Sequence, residues 1–235
     1  MSKSWENVLS NVVNNLCSDN DILGIILHGS YALGNYHKYS DIDLYVITNT
    51  KGNCTSLFYH DDYPVQIIWR TLEEFKEKVM KPTRNKGIAN IGNILFDRTG
   101  IITLYIKKAK KVLTEPKALT NFEKELMVIE LSTELQTIKG LIESSNVTGA
   151  ILLINELAIT GINVLYDYHK WFMVSNKHLV SDLKQHDTYY GELLEKIILE
   201  SDINNKYYLL ETLVNNIFRD CNIRKITEYD ISYNH

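Results

Sequence analysis

The chain has 235 residues, 45% of them hydrophobic and 23% charged, with a formal net charge of −4 at pH 7. This is the composition of a folded globular protein with material for one large or two small domains. The negative balance argues against non-specific nucleic-acid binding, which needs a basic face.

In chain order, the first predicted element is a helix from about Ser4 to Cys17, with Trp5, Val8, Leu9, Val12 and Val13 on one face. It is amphipathic rather than continuously apolar, so it does not read as a secretory signal. Ile22 to Leu27 and Leu44 to Ile47 are short, β-branched and bounded by turn formers, which predicts two buried strands. Between them lie Gly29-Ser30, a short helix near Tyr31 to Leu33, and Asp41-Ile42-Asp43. Strand alternation puts Asp41 and Asp43 on one face and turns Ile42 into the core. Two carboxylates side by side repel unless a cation lies between them, and oxygen ligands suit Mg²⁺, which keeps its waters and takes substrate phosphates. Gly29 lets the backbone pass close to a bound group, and Ser30 offers a hydroxyl and an N–H to a phosphate oxygen.

Gly29-Ser30, a ten-residue spacer and Asp41-x-Asp43 resemble the signature of the nucleotidyltransferase superfamily that contains DNA polymerase β and the antibiotic nucleotidyltransferases. The resemblance implies transfer of a nucleoside monophosphate from an NTP, with ATP the expected donor, and Mg²⁺ held by Asp41 and Asp43. Gly29, Ser30 and the adjacent Ser40 are then candidate nucleotide contacts.

A strand follows over Tyr63 to Arg70, after an acidic turn at Asp61-Asp62, and Pro64 confines it to an edge or a first position. In the superfamily this strand carries a third carboxylate, but here the slot reads Val65-Gln66-Ile67. Gln66 can hydrogen-bond and weakly ligate a cation, yet it has no charge and cannot act as a base. Thr71 is the expected N-cap of a helix over Leu72 to Val79. A basic loop follows from Lys81 to Gly87. Asn93 to Gly100 resembles the segment that closes this domain in antibiotic nucleotidyltransferases, with Asp97 and Arg98 as a structural turn. Ile101 to Leu113 is an amphipathic helix that exposes Lys107, Lys108, Lys110 and Lys111.

Pro116 cannot continue a helix, and the residue types change after it. The expected organisation is therefore α+β: a nucleotidyltransferase domain over residues 1–115, with a small mixed sheet and helices, then a helical bundle over 116–235. The bundle would serve acceptor binding or dimerisation, with the active site in the cleft between the two. Helices are predicted for Phe122 to Ser144, Thr148 to Tyr168, His178 to Gln185, Tyr190 to Glu200 and Ile203 to Arg219. Ala150 to Leu165, the most apolar stretch, reads as a buried helix too short and too polar for a membrane span.

This order resembles kanamycin and lincosamide nucleotidyltransferases, in which a glutamate of the bundle's first helix takes the proton from the attacking hydroxyl. The resemblance points to Glu134 as the catalytic base, with Glu130 next. Glu156, inside an apolar helix, is a further candidate because such an acid needs a partner or a cavity. Lys139 is a candidate phosphate contact. The bundle also resembles HEPN domains, but their ribonuclease motif, Arg then His a few residues later, is not seen at Arg219 or Arg224.

Cys17, Cys54 and Cys221 form no Cys-x-x-Cys pair and read as buried free thiols of a cytoplasmic protein; His60 near Cys54 lacks the further ligands of a zinc site. The expected partners are an NTP and a small hydroxylated acceptor such as an aminoglycoside or lincosamide, with no membrane and a possible homodimer. Loss of the third carboxylate also admits an inactive nucleotide- or partner-binding protein of toxin–antitoxin type, and a protein side chain is the other possible acceptor.

Overall fold

The computed structural model describes residues 4–223. The chain forms two compact units, Met1–Thr114 and Glu115–His235. Arg224 lies outside the described residues.

The first unit runs α1 (Trp5–Cys17), β1 (Ile22–His28), α2 (Gly29–Leu33), β2 (Ile42–Thr48), β3 (Cys54–His60), β4 (Tyr63–Thr71), α3 (Leu72–Met80), α4 (Ile88–Ile91), β5 (Asn93–Asp97) and α5 (Ile101–Val112). Its five strands form one mixed sheet in the order β3-β4-β2-β1-β5. β2 and β4 are parallel, and the other neighbouring pairs are antiparallel. Ile25, Leu27, Ile42, Leu44, Val46, Val65, Ile67 and Trp69 pack with Val8 and Val12 of α1. Ile26, Tyr45 and Ile47 point the other way, onto Phe75 and Val79 of α3 and Ile102 and Ile106 of α5. Burial on both faces is the reason β1 and β2 read as unbroken apolar runs.

β4 is an interior strand with Pro64 at its start, the second of the two placements expected for it, and pairing with β2 begins one residue later, at Ile42↔Val65. Asn93 to Asp97 is the outer strand β5 rather than only a closing turn, and α4 adds a helical turn before it. At the other end of the sheet, Asp61 and Asp62 take φ of 49° and 68°, the left-handed pair of a tight hairpin turn between β3 and β4.

The start of α3 follows the predicted cap. Thr71 Oγ1 accepts from Glu74 N while Glu74 Oε2 accepts from Thr71 N, a complete capping box. Asp97 Oδ2 accepts from the Thr103 N–H at 2.8 Å and its hydroxyl at 2.7 Å, holding the start of α5. Arg98 Nε donates to Ile22 O at 2.8 Å and Nη2 to the carbonyls of Cys17 and Asp19, tying the end of β5 to the α1–β1 connection. Both residues are structural, as their turn position suggested. Lys107, Lys108, Lys110 and Lys111 are exposed.

The second unit, among the described residues, is helical: α6 (Asn121–Glu143), α7 (Val147–Tyr168), α8 (Asn176–His186), α9 (Thr188–Leu199) and α10 (Ile203–Asp220). α7 packs against α6, α9 and α10. By length and composition alone α7 could cross a membrane, which corrects the expectation that this stretch is too short and too polar. Here Ile154, Leu157, Ala158, Ile162 and Leu165 lie inside the helical core. On α6 the buried stripe is Leu131, Leu135 and Ile138. Leu126, Ile129, Thr133 and Gln136, on another face of the helix, stay partly or fully exposed. Of the cysteines, all free, only Cys221 is fully buried.

Burial pushes the Asp97 carboxyl up, but hydrogen bonds from Thr103, Ile102 and Gly100 outweigh it and hold the group below the usual carboxylate range. A depressed folded value contributes stability above the unfolded pKa, and that stability is lost as pH falls through the folded one. Asp97→Ala is expected to cost about 1–2 kcal/mol at neutral pH and to flatten the acid limb of stability, read by urea unfolding against pH.

Candidate active site

β1 ends at His28 and the chain enters α2 at once, with Gly29 at φ 68°. A Cβ on Gly29 would overlap the Asp43 carboxylate, so only glycine allows this close approach in this backbone conformation. The sheet register then builds a row. His28 lies opposite Asp43, Asp43 opposite Gln66, and Gln66 opposite Leu57. Register partners share a face, so the imidazole, the carboxylate and the amide stand side by side across β1, β2 and β4.

Asp41 and Asp43 behave as alternation predicts. Ile42 between them is fully buried in the α1-side core, and both aspartates are partly exposed. Burial pushes the His28 imidazole below its ordinary pKa, with the Asp41 carboxylate opposing, which places Asp41 within electrostatic reach of the row. His28 Nε2 is buried with no hydrogen-bond partner from the described residues. His28 was not singled out from the sequence, although a polar residue closing an apolar strand beside Gly29 was a legible signal.

Ser30 is 7% exposed in the first turn of α2. The next residue, Tyr31, stacks on Tyr36 at 4.5 Å and meets Trp5 of α1 in a tilted contact at 4.7 Å, anchoring α2 to α1. Ser40 is buried; its N–H donates to His37 O at 2.8 Å and its Oγ accepts from His37 N at 2.9 Å. Ser40 thus builds the turn that delivers Asp41.

No group of three or more His, Cys, Asp or Glu suited to a metal occurs among the described residues. Two carboxylates at one strand start, beside an unpaired imidazole nitrogen, do fit a hard divalent cation that completes its shell with phosphate oxygens and water. Asp41 and Asp43 would hold it. Gln66, directly opposite Asp43, adds a neutral oxygen where a third charge would otherwise stand.

The second unit brings its own acids together. Thr160 Oγ1 donates to Glu130 Oε1 at 3.2 Å. Burial raises the Glu130 pKa against that hydrogen bond, and the Glu156 and Glu134 carboxylates add to the rise. Glu130 therefore lies within electrostatic reach of both Glu134 on α6 and Glu156 on α7. Glu156 is exposed, not enclosed, because its position on α7 faces away from the helical core. Lys139 is exposed on α6.

Residues 9–125 match the family model described as nucleotidyltransferase domain. Among solved structures, the chain is similar to a nucleotidyltransferase-like protein from Exiguobacterium sibiricum, at 13% identity and a TM-score of 0.49, over 92% of this chain and 75% of that one. A search of the curated proteins returns no match.

Gly29→Ala is expected to destabilise the fold by about 1–3 kcal/mol, since it adds both a disfavoured φ and a clash with Asp43. Urea unfolding measures this, and Gly34→Ala, also at positive φ but with open space around its Cβ position, should cost less.

Proposed function

On the premise that residues 9–125 form a nucleotidyltransferase domain, we propose that the protein transfers a nucleoside monophosphate from an NTP, ATP foremost, to a hydroxyl of a small acceptor. The acceptor class is aminoglycoside- or lincosamide-like, and the setting is the cytoplasm, in keeping with three free thiols. The observation that carries the reading is the row His28, Asp43, Gln66 with Gly29 packed on Asp43.

In this reading the acceptor oxygen forms a bond to the α-phosphorus as the bond to pyrophosphate breaks. Gly29 gives the phosphates access to the backbone, and Ser30 donates its N–H and hydroxyl to their oxygens. A Mg²⁺ ion held by Asp41 and Asp43 would supply charge neutralisation and alignment of the triphosphate. Gln66 can orient a group by hydrogen bonding but cannot take the proton. From the resemblance to kanamycin-type enzymes, Glu134 first and Glu130 next are the proposed proton acceptors, and Lys139 a proposed phosphate contact.

The neutral Gln66 opposite Asp43 favours a second reading, a nucleotide- or partner-binding protein with little turnover. Pyrophosphate release from labelled ATP and Mg²⁺ with a panel of hydroxylated acceptors separates the two. Release that falls roughly a hundredfold or more in Asp41→Asn and in Asp43→Asn supports transfer. Nucleotide binding without release across the panel selects the second reading.

Gln66→Glu is expected to tighten Mn²⁺ binding, read by electron paramagnetic resonance titration, because it restores one ligand charge. Unchanged binding would remove Gln66 from the metal's surroundings.

A further inference from the structure

β3 is an outer strand of the sheet, and Cys54 to His60 contains no charged residue and no proline. Edge strands are ordinarily blunted by lysine, proline or a bulge, since a free row of N–H and C=O groups templates another strand. β3 has none of these, and its register with β4 is unbroken from Cys54↔Trp69 to His60↔Tyr63. Leu57, Phe58 and Tyr59 are 66%, 39% and 74% exposed, a consecutive apolar run covering both faces of the edge.

We propose that a second copy of this chain pairs with β3, antiparallel and about a two-fold axis at Leu57. The ladder phase supports this register. The two-residue turn at Asp61 and Asp62 makes His60 and Tyr63 the hydrogen-bonded pair that closes the hairpin. Alternation then points the backbone groups of Phe58, Ser56 and Cys54 at β4, and those of Tyr59, Leu57 and Thr55 outward. An axis at Leu57, the midpoint of β3, opposes Leu57 to its own copy and Thr55 to Tyr59, so every outward group meets another.

The side chains and charges agree with that register. Leu57 packs on Leu57, Tyr59 covers Thr55, and Phe58 lies opposite Ser56 on the other face. Beyond the strand ends, this register brings Asp61 and Asp62 of one copy over Asn53 and Gly52 of the other, next to Lys51. Lys51 Nζ sits 3.5 Å from the Trp69 ring centroid, held at that end of the hairpin. The occupant is thus complementary in charge as well as in hydrogen bonding. This pairing stands independently of the proposed reaction. If both hold, Leu57 opposite Gln66 joins the two rows into one, with the Asp43 positions of the two copies about 24 Å apart at about 4.8 Å per strand.

Sedimentation equilibrium of the full chain is expected to show a dimer. Leu57→Lys, which sets like charges across the axis, should give a monomer with unchanged far-UV circular dichroism, because this side chain is exposed in a single copy. Leu57→Cys should form an intermolecular disulfide under mild oxidation that the parent chain does not. Opposed residues of a hydrogen-bonded pair lie about 5.5 Å apart at Cα, within disulfide reach. A monomeric parent chain, a dimer that Leu57→Lys leaves intact, or Leu57→Cys that does not cross-link would each overturn the proposal. A different protein seated on β3 in place of a second copy would overturn it too.

Discussion

The candidate site depends on the placement of β2 between β1 and β4 with both sheet faces covered. A slip of one residue would exchange the two faces of β2, turning Asp43 toward the α1-side core and away from His28 and Gln66. That constraint brings Asp43 between His28 and Gln66. The close approach of Gly29 follows from the same placement, because α2 begins where β1 stops pairing with β2.

In the first unit, side-chain hydrogen bonds shape several chain connections. Arg98 holds the α1–β1 connection, Asp97 starts α5, Ser40 shapes the turn before Asp41, and Thr71 with Glu74 starts α3. Of these, the Ser40 turn adjoins the row, while Arg98, Asp97 and Thr71 with Glu74 work at the opposite end of the sheet. The sheet's other side behaves differently. β3 leaves apolar residues and an unblunted backbone edge exposed, although it is only one strand from Gln66.

The second unit shows how little a composition argument says about placement. α7 carries apolar residues enough to read as a membrane span, yet many of them are inside the helical core. Glu156, in that same helix, is exposed, while Glu130 on α6 is the acid whose pKa burial raises. A residue's neighbours in sequence and its neighbours in space are different sets on a helix, where only every third or fourth position shares a face.

The local chemistry of the chain determined a great deal. The apolar runs, the Gly-Ser and Asp-x-Asp motifs, the Thr71 cap and the helical second half were all legible, because each rests on residues a few positions apart. Tertiary structure alone decided the rest. It made β4 an interior strand, set Gln66 against Asp43, and brought His28 into the row. It also chose Leu131, Leu135 and Ile138 as the buried stripe of α6 and turned Glu156 outward. These outcomes depend on which strand or helix lies alongside, and strand register and helix packing are settled by contacts between residues far apart in the chain.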